Sequence, residues 1–285
     1  MAHKNSSNWS PYKARRKNKS KTFKDDPAKK SDHSTNSSRH RRSQEAYSFN
    51  EADDRIADVF FNHGFGEYPH EKRQLLTRLY FLLMENQNER NFTRLLTLRD
   101  VAIKHFIDSL MVTQLAKLQF PLLDMGTGPG FPGLPLKIHF PEDRIVLAEG
   151  VQKRVEFLKS VRKELNLKNL PIIGRNINFE CFYPVRTVIT RAVEDARNTL
   201  GNTVNCIQTG GHVILMKGPN CTPEIQMALD TWGEYFELAQ DLSYEIPKSP
   251  HQRRLLIFKK IKIHPLPDFE ELDLKWEREN GIEGP

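Results

Sequence analysis

The residues with the most chemical potential lie together in one stretch. Gly126, Gly128 and Gly130 alternate just after a short apolar run that ends in a carboxylate, Leu122-Leu123-Asp124-Met125. A strand that stops at glycines and reopens as a helix exposes unpaired backbone N–H groups at the turn. Glycine lets the backbone approach a ligand and take positive φ where the bend needs it. At the C-terminal edge of a parallel sheet, such a turn builds a site for a nucleotide-like ligand. Two ligand chemistries compete for it. Gly128 to Gly133 spells G-x-G-x-x-G, the dinucleotide fingerprint. Pro129 and Pro132 lie inside that turn, however, and proline has no N–H to offer a pyrophosphate. Asp124, two residues before the first glycine, would repel a pyrophosphate. It suits a ligand carrying an ammonium and a sulfonium, as S-adenosyl-L-methionine does. Charge therefore favours the methyl donor. Glu149, nineteen residues beyond Gly130, stands near the ~20 at which an acidic residue holds ribose hydroxyls.

The elements around this turn alternate. Strands are expected at Pro121–Met125, Arg144–Glu149, Pro171–Gly174, Thr187–Thr190 and, after Gly210-Gly211, at His212–Lys217. An amphipathic helix runs from Val151 to Leu165. Strands alternating with helices imply an α/β fold whose mostly parallel sheet is covered on both faces. Leu242–Ile246 and Arg254–Lys260, separated by a proline-containing turn, read as an antiparallel pair. Ahead of the first strand the apolar period is helical: Ile56, Val59 and Phe60 make one stripe, and Leu75, Leu76, Leu79, Leu82 and Leu83 another. Thr97-Leu98-Arg99-Asp100 resembles a capping box opening a third helix. The expected organisation is a disordered basic extension over 1–48 and an N-terminal helical subdomain over 49–120. A Rossmann-like core over 121–262 and an acidic tail over 263–285 complete it.

Charge is distributed unevenly. Residues 1–50 hold 13 basic and 4 acidic side chains, whereas residues 51–285 hold 30 and 32. The chain's net charge of +7 thus belongs to the extension. That extension is almost free of aliphatic residues and is expected to stay disordered. Its Lys13-Ala14-Arg15-Arg16-Lys17 and Arg41-Arg42 are candidate phosphate contacts, with Trp9, Tyr12 and Phe23 available to stack on bases. The same segment also reads as a solvated basic tail without a dedicated partner. Residues 265–285 carry seven acidic and two basic side chains. The three cysteines, Cys181, Cys206 and Cys221, show neither CxxC pairing nor metal-ligand spacing and are read as free, reduced thiols. No apolar run approaches the ~20 residues of a membrane span. A cytoplasmic protein without metal or membrane partner, and monomeric, is expected.

Within methyl transfer, the acceptor can be narrowed. Exocyclic amines usually need a polar-Pro-Pro-aromatic clamp, and no such tetrapeptide occurs. C5 of a pyrimidine needs a nucleophilic cysteine, commonly after proline, and no cysteine here follows one. N7 of guanine offers an in-plane lone pair and no proton to remove, so it asks for positioning more than for a base. The chain is compatible with that chemistry.

From about 49 to 262 the chain resembles the 16S ribosomal RNA guanine-N7 methyltransferase family, also called glucose-inhibited division protein B. The resemblance is carried by Asn91-Phe92-Thr93, Arg99-Asp100, His105-Phe106-Ile107-Asp108-Ser109-Leu110 and the block from Asp124 to Leu136. Lys153 to Leu158, Thr190-Arg191-Ala192 and Leu215-Met216-Lys217-Gly218 follow in the family's order. The resemblance implies a class I S-adenosyl-L-methionine-dependent methyltransferase core with small-subunit ribosomal RNA, or a ribosomal particle, as partner. It implies that Gly126 and Phe131 contact the donor and that Asn176 and Ile177 occupy the adenine-contacting positions. Arg191 falls on the family's donor-site and active-site arginine. Arg191 and Lys217 stand at successive strand ends on the ligand-binding edge, where they could hold the donor carboxylate, an RNA phosphate or guanine O6. His105 and Asp108, at i and i+3, are read first as a helix-packing pair that could also approach the cleft. Departures from the family pattern fall at Asn176, in place of an acidic residue, at Arg186, in place of an aspartate, and at Gly150, in place of a small polar residue. They motivate an alternative: a non-catalytic RNA-binding or ribosome-assembly protein on a degenerate scaffold.

Overall fold

The structure, a computed structural model, describes residues 47–265 except Asn91 and Ala192, with backbone alone at 88–90. The basic extension and the acidic tail therefore lie outside the described residues, save 47–48 and 263–265.

Helix α1, Phe49–Asn62, starts where the Ser48 hydroxyl accepts the Glu51 N–H, and it buries Ala52, Ile56, Val59 and Phe60 on one face. Helix α2, His70–Arg90, buries Leu76, Leu79 and Leu83. The two are tied by Arg73, whose Nε and Nη2 donate to the buried Asp53 carboxylate at 3.1 and 2.9 Å. The third helical stretch begins at the expected cap, with Thr97 Oγ1 accepting the Asp100 N–H at 3.1 Å. It does not continue as one α-helix. A short α3, Leu98–Val101, passes into a π-helical turn, Ala102–Ile107, and then into α4, Asp108–Leu115. Apolar period alone does not reveal such a widened turn, and π segments of this kind are frequent at functional sites.

The sheet follows: β1 Leu122–Met125, α5 Gly133–His139, β2 Ile145–Ala148, α6 Gln152–Glu164, β3 Ile172–Ile173 and β4 Val185–Arg191. Then come α7 Ala196–Thr203, β5 Ile207–Lys217, α8 Thr222–Trp232, β6 Phe236–Glu245 and β7 Gln252–Lys260. The strand order is β3-β2-β1-β4-β5-β7-β6. The first five are parallel, and β7 runs antiparallel to both β5 and β6. β1 and β2 are buried along their whole length, which explains why they are apolar apart from Asp124. Alternate strand residues feed two cores. Leu122, Leu147, Ile189 and Ile214 pack with α1 to α6, while Leu123, Val146, Val188 and Val213 pack with α7 and α8. The helices ahead of β1 thus share one core with the sheet.

Two strands begin well before the start their sequence patterns indicate. β5 begins at Ile207 and contains Gly210-Gly211, with Gly210 at φ +82° and a register shift against β4 between Val185 and Thr187. The glycines mark a bulge rather than a strand start. β6 begins at Phe236, and its outward residues mask the period that Leu242 to Ile246 show. All three cysteines are free and buried, and no described helix is long and apolar enough to cross a membrane.

Candidate active site

β1, β2, β4 and β5 all point their C-terminal ends at one edge of the sheet, which gathers residues far apart in the chain. After β1 the backbone turns over the end of β2: the N–H groups of Gly126 and Thr127 both donate to the Ala148 carbonyl at 3.0 Å. Gly126, Gly128 and Gly130 take φ of +69°, +61° and +107°, values that L side chains resist. At Gly130 a Cβ would lie 2.2 Å from Leu134 Cδ1, so helix α5 sits hard against the turn. At Gly128 a Cβ would meet nothing within 4 Å, so that glycine faces open space.

Asp124 supports the turn from below. Its Oδ2 accepts from the Gly133 N–H at 2.7 Å and from the Thr127 hydroxyl, and Gly133 must be glycine because a Cβ would come within 2.6 Å of that oxygen. The carboxyl is 1% exposed. Burial pushes its pKa up to about 6, against the opposing pull of the Thr127 and Gly133 hydrogen bonds and of Arg191. Its Oδ1 is buried with no hydrogen-bond partner among the described residues. At the end of β2, Glu149 is also buried; its Oε1 accepts the Val151 N–H at 2.7 Å, and Arg154 stands 3.6 Å from Oε2. An open glycine cradle with an orphaned carboxylate oxygen beneath it and a second carboxylate alongside fits a cationic nucleoside donor. Among the residues expected to hold its adenine, Asn176 is exposed at the same edge. Its Oδ1 occupies the place a Gly150 Cβ would take, 2.2 Å away. Ile177 instead turns into the core packed with α7 and α8.

Arg191 ends β4 and is held by the π turn. Its Nη1 donates to the Lys104 carbonyl and to Asp108 Oδ2, both at 2.9 Å, and its Nη2 lies 3.1 Å from His105 Nδ1. Guanidinium is donor only, so His105 Nδ1 accepts and the proton sits on Nε2, which lies 3.0 Å from Thr93 Oγ1. Burial and the neighbouring Arg191 charge depress the His105 pKa to about 3, so the ring stays neutral. It stacks on Phe131, with centroids 4.2 Å apart and planes 8° apart, and the Arg191 guanidinium lies 5.7 Å from the same Phe131 ring. Phe131 is 3% exposed, so it touches these side chains more than the open cleft. The remaining oxygen of Asp108 accepts from Arg253 Nε of β7 at 3.1 Å. Lys104, His105, Asp108, Arg191, Met216, Lys217, Gly218 and Arg253 enclose a cleft of 350 Å³. Lys217 Nζ is engaged there by the Glu194 carbonyl and by Glu224 Oε2 at 2.7 Å.

Asp124, the three glycines, Phe131, Glu149, Arg191 and Lys217 therefore share one sheet edge, as does Asn176, whereas Ile177 lies in the core. His105 and Asp108, read first as helix packing, line the cleft. Arg253 went unremarked in the sequence. The available signal was a charge that continues the Leu255–Ile257 alternation onto the face packed by the N-terminal helices. Among the described residues, no group of three or more His, Cys, Asp or Glu could hold a metal ion.

This strand order, with a glycine turn after β1 and an acidic residue closing β2, defines a class I S-adenosyl-L-methionine-dependent methyltransferase. The family model for GidB, rRNA small subunit methyltransferase G, matches residues 72–253. The chain belongs to that family. Ribosomal RNA small subunit methyltransferase G 2 of Bdellovibrio bacteriovorus is 60% identical over 233 residues, covering 82% of this chain and 91% of the relative. Ribosomal RNA small subunit methyltransferase G of Carboxydothermus hydrogenoformans is 34% identical over 204 residues, covering 68% and 86%. Among solved structures, a methyltransferase from Pyrococcus furiosus aligns with a TM-score of 0.46 at 14% identity, over 66% of this chain and 98% of its own.

Proposed function

We propose that this protein transfers the methyl group of S-adenosyl-L-methionine to N7 of a guanosine in small-subunit ribosomal RNA, acting as a monomer in the cytoplasm. The observation that carries the reading is the adjacency of an open glycine turn and a cleft where Lys104, Arg191, Lys217 and Arg253 surround a single lining carboxylate, Asp108. When bound, the donor supplies an electrophilic methyl on a sulfonium. Gly126, Gly128 and Gly130 make room for it, the acidic groups Asp124 and Glu149 complement its cationic charge, and Glu149 is placed to take ribose hydroxyls. Asn176 stands by for the adenine.

N7 needs no proton removed, and the state of the nearest imidazole supports that reading. His105, the neutral imidazole nearest the cleft, has both ring nitrogens engaged, by Arg191 and by Thr93. It orients Arg191 and supports Phe131 rather than serving as a base. Arg191 then faces the incoming guanine or the donor carboxylate, while Lys217 holds the Glu194 carbonyl in the segment after β4. N7 is inaccessible in the deep, narrow groove of an A-form helix, so the target guanosine belongs to a loop or is unstacked. The basic extension adds salt-dependent RNA affinity. The relatives' names give no support to a non-catalytic RNA-binding protein.

The test is transfer of labelled methyl from the donor to small-subunit RNA and to small-subunit particles, with the product nucleotide mapped by mass. N7-methylguanosine at one position is expected. Transfer to neither RNA nor particle would overturn the proposal, and Arg191→Ala with undiminished turnover would remove Arg191 from the mechanism.

A further inference from the structure

The ions around the cleft do not balance evenly. Lys104 is matched one-to-one with Asp100 at 2.7 Å, and Lys217 with Glu224 at 2.7 Å. Arg191 and Arg253, by contrast, share a single carboxylate, one on each oxygen of Asp108. The Arg–Asp–Arg group therefore carries one positive charge in excess, held beside the donor turn. That charge is not spread equally over the two guanidinium groups. Arg191 is 16% exposed, and its Nη1 and Nη2 are both engaged by the π turn and α4. Arg253 is 27% exposed. Its Nε is fixed by Asp108 and its Nη1 donates to the Gln252 carbonyl at 3.1 Å, while its Nη2 has no protein acceptor among the described residues.

A guanidinium anchored through Nε with a free Nη2 at the mouth of a cleft presents its donors to a singly charged, multi-oxygen acceptor. In a protein that acts on RNA, the acceptor of that kind nearest the target base is a backbone phosphodiester. We propose that Arg253 is an RNA-phosphate contact of the acceptor cleft, set in place by Asp108; Lys217, 12% exposed and neutralised by Glu224, is the lesser candidate. Asp108 is a positioning residue. By holding Arg253 with one oxygen and Arg191 with the other, it ties the grip on the RNA backbone to the arginine that stands over Phe131. The inference rests on the proposed action on RNA.

The test reads binding apart from turnover. The full chain is titrated with an unmodified single-stranded fragment of small-subunit ribosomal RNA across a salt series, and with S-adenosyl-L-methionine by calorimetry. Arg253→Ala is expected to weaken RNA binding about tenfold at low salt and to flatten the dependence of log K on log salt by about 0.7, the loss of one single-strand phosphate contact. Arg253→Lys should retain the wild-type slope, and the donor Kd should stay within about twofold in both variants. Asp108→Asn, which keeps both cations but leaves one acceptor oxygen for two guanidinium groups, should lower kcat and weaken RNA binding less than Arg253→Ala does, with the donor Kd unchanged; a merely structural role would move the donor Kd as well. An unchanged salt slope in Arg253→Ala would overturn the inference, as would a donor Kd that shifts as far as the RNA Kd. If the wild-type protein binds RNA with the expected Arg253 dependence yet methylates none, the proposed reaction falls and the phosphate contact stands.

Discussion

The two halves of the ligand-binding edge are built with opposite chemistry. On the β1–β2 side the buried charged groups are carboxylates, Asp124 and Glu149, both nearly excluded from solvent and held by backbone N–H groups. On the β4–β7 side cations face the cleft: Lys217, and Arg191 and Arg253, the two guanidinium groups held by one carboxylate and partly open. The two sides are in electrostatic contact, since Arg191 pulls the Asp124 pKa down against the rise that burial imposes. On the proposed reading, a sulfonium nucleoside and an anionic RNA strand are each drawn to their own side, and the sign change falls near Phe131, where His105 stacks and Arg191 approaches. Charge sorting along one edge teaches more here than any single side chain.

The largest break in this arrangement should come from Asp108→Ala. It strands two guanidinium groups around a buried site, which costs about 3–5 kcal/mol, visible as a lower denaturation midpoint in urea. Asp108→Asn should cost less because the acceptor oxygen for one arginine remains. Equal losses in the two variants would remove the charge from the account.

Next in size are two opposed pH linkages. Asp124 has a folded pKa of about 6 against an ordinary 3.8. The native protein thus holds more protons than the unfolded chain between about pH 4 and pH 6, and stability falls as pH rises through that window, by up to about 3 kcal/mol. His105 goes the other way. Its folded pKa of about 3 lies below the ordinary 6.5, so the unfolded chain holds more protons between those values and stability rises with pH across them. The two partly cancel in the wild type. Urea denaturation from pH 4 to 7 should show a steeper rise in Asp124→Asn and a fall in His105→Gln. Profiles parallel to the wild type would contradict both assignments.

Gly130→Ala comes third, because φ +107° and the Leu134 methyl at 2.2 Å both resist a Cβ. About 1–3 kcal/mol of stability should be lost, together with donor binding measured by calorimetry, while RNA affinity is kept. The smallest change is Gly150→Ala. The Asn176 carboxamide in its way is an exposed side-chain end that can swing aside, so stability should move by no more than about 0.5 kcal/mol. The donor Kd should nevertheless rise, and in an Asn176→Ala background Gly150→Ala should no longer change it.

The donor side was legible in the sequence because its parts are local. β1, the glycine turn and α5 are contiguous, and Glu149 closes the next strand, so period and spacing are enough. Gly150 and Asn176, two departures from the family pattern, prove to be neighbours, which no pattern along the chain reveals. The acceptor side was legible only in part. Arg191 meets Asp108 across 83 positions and Arg253 meets it across 145. Asp108 and His105 looked like helix packing because the π turn that swings them to the sheet edge leaves no mark on the apolar period. Lys217 was found at its strand end, but its engagement by Glu194 and Glu224 depends on how α8 packs.

Calorimetric titration of the full-length protein with S-adenosyl-L-methionine, in wild-type and Glu149→Gln forms and beside a titration with NADH, tests the charge-sorted edge most directly. Saturable donor binding that weakens at least tenfold in Glu149→Gln, with no heat from NADH, is the expected result. Binding of the dinucleotide, or donor binding indifferent to Glu149, would contradict it.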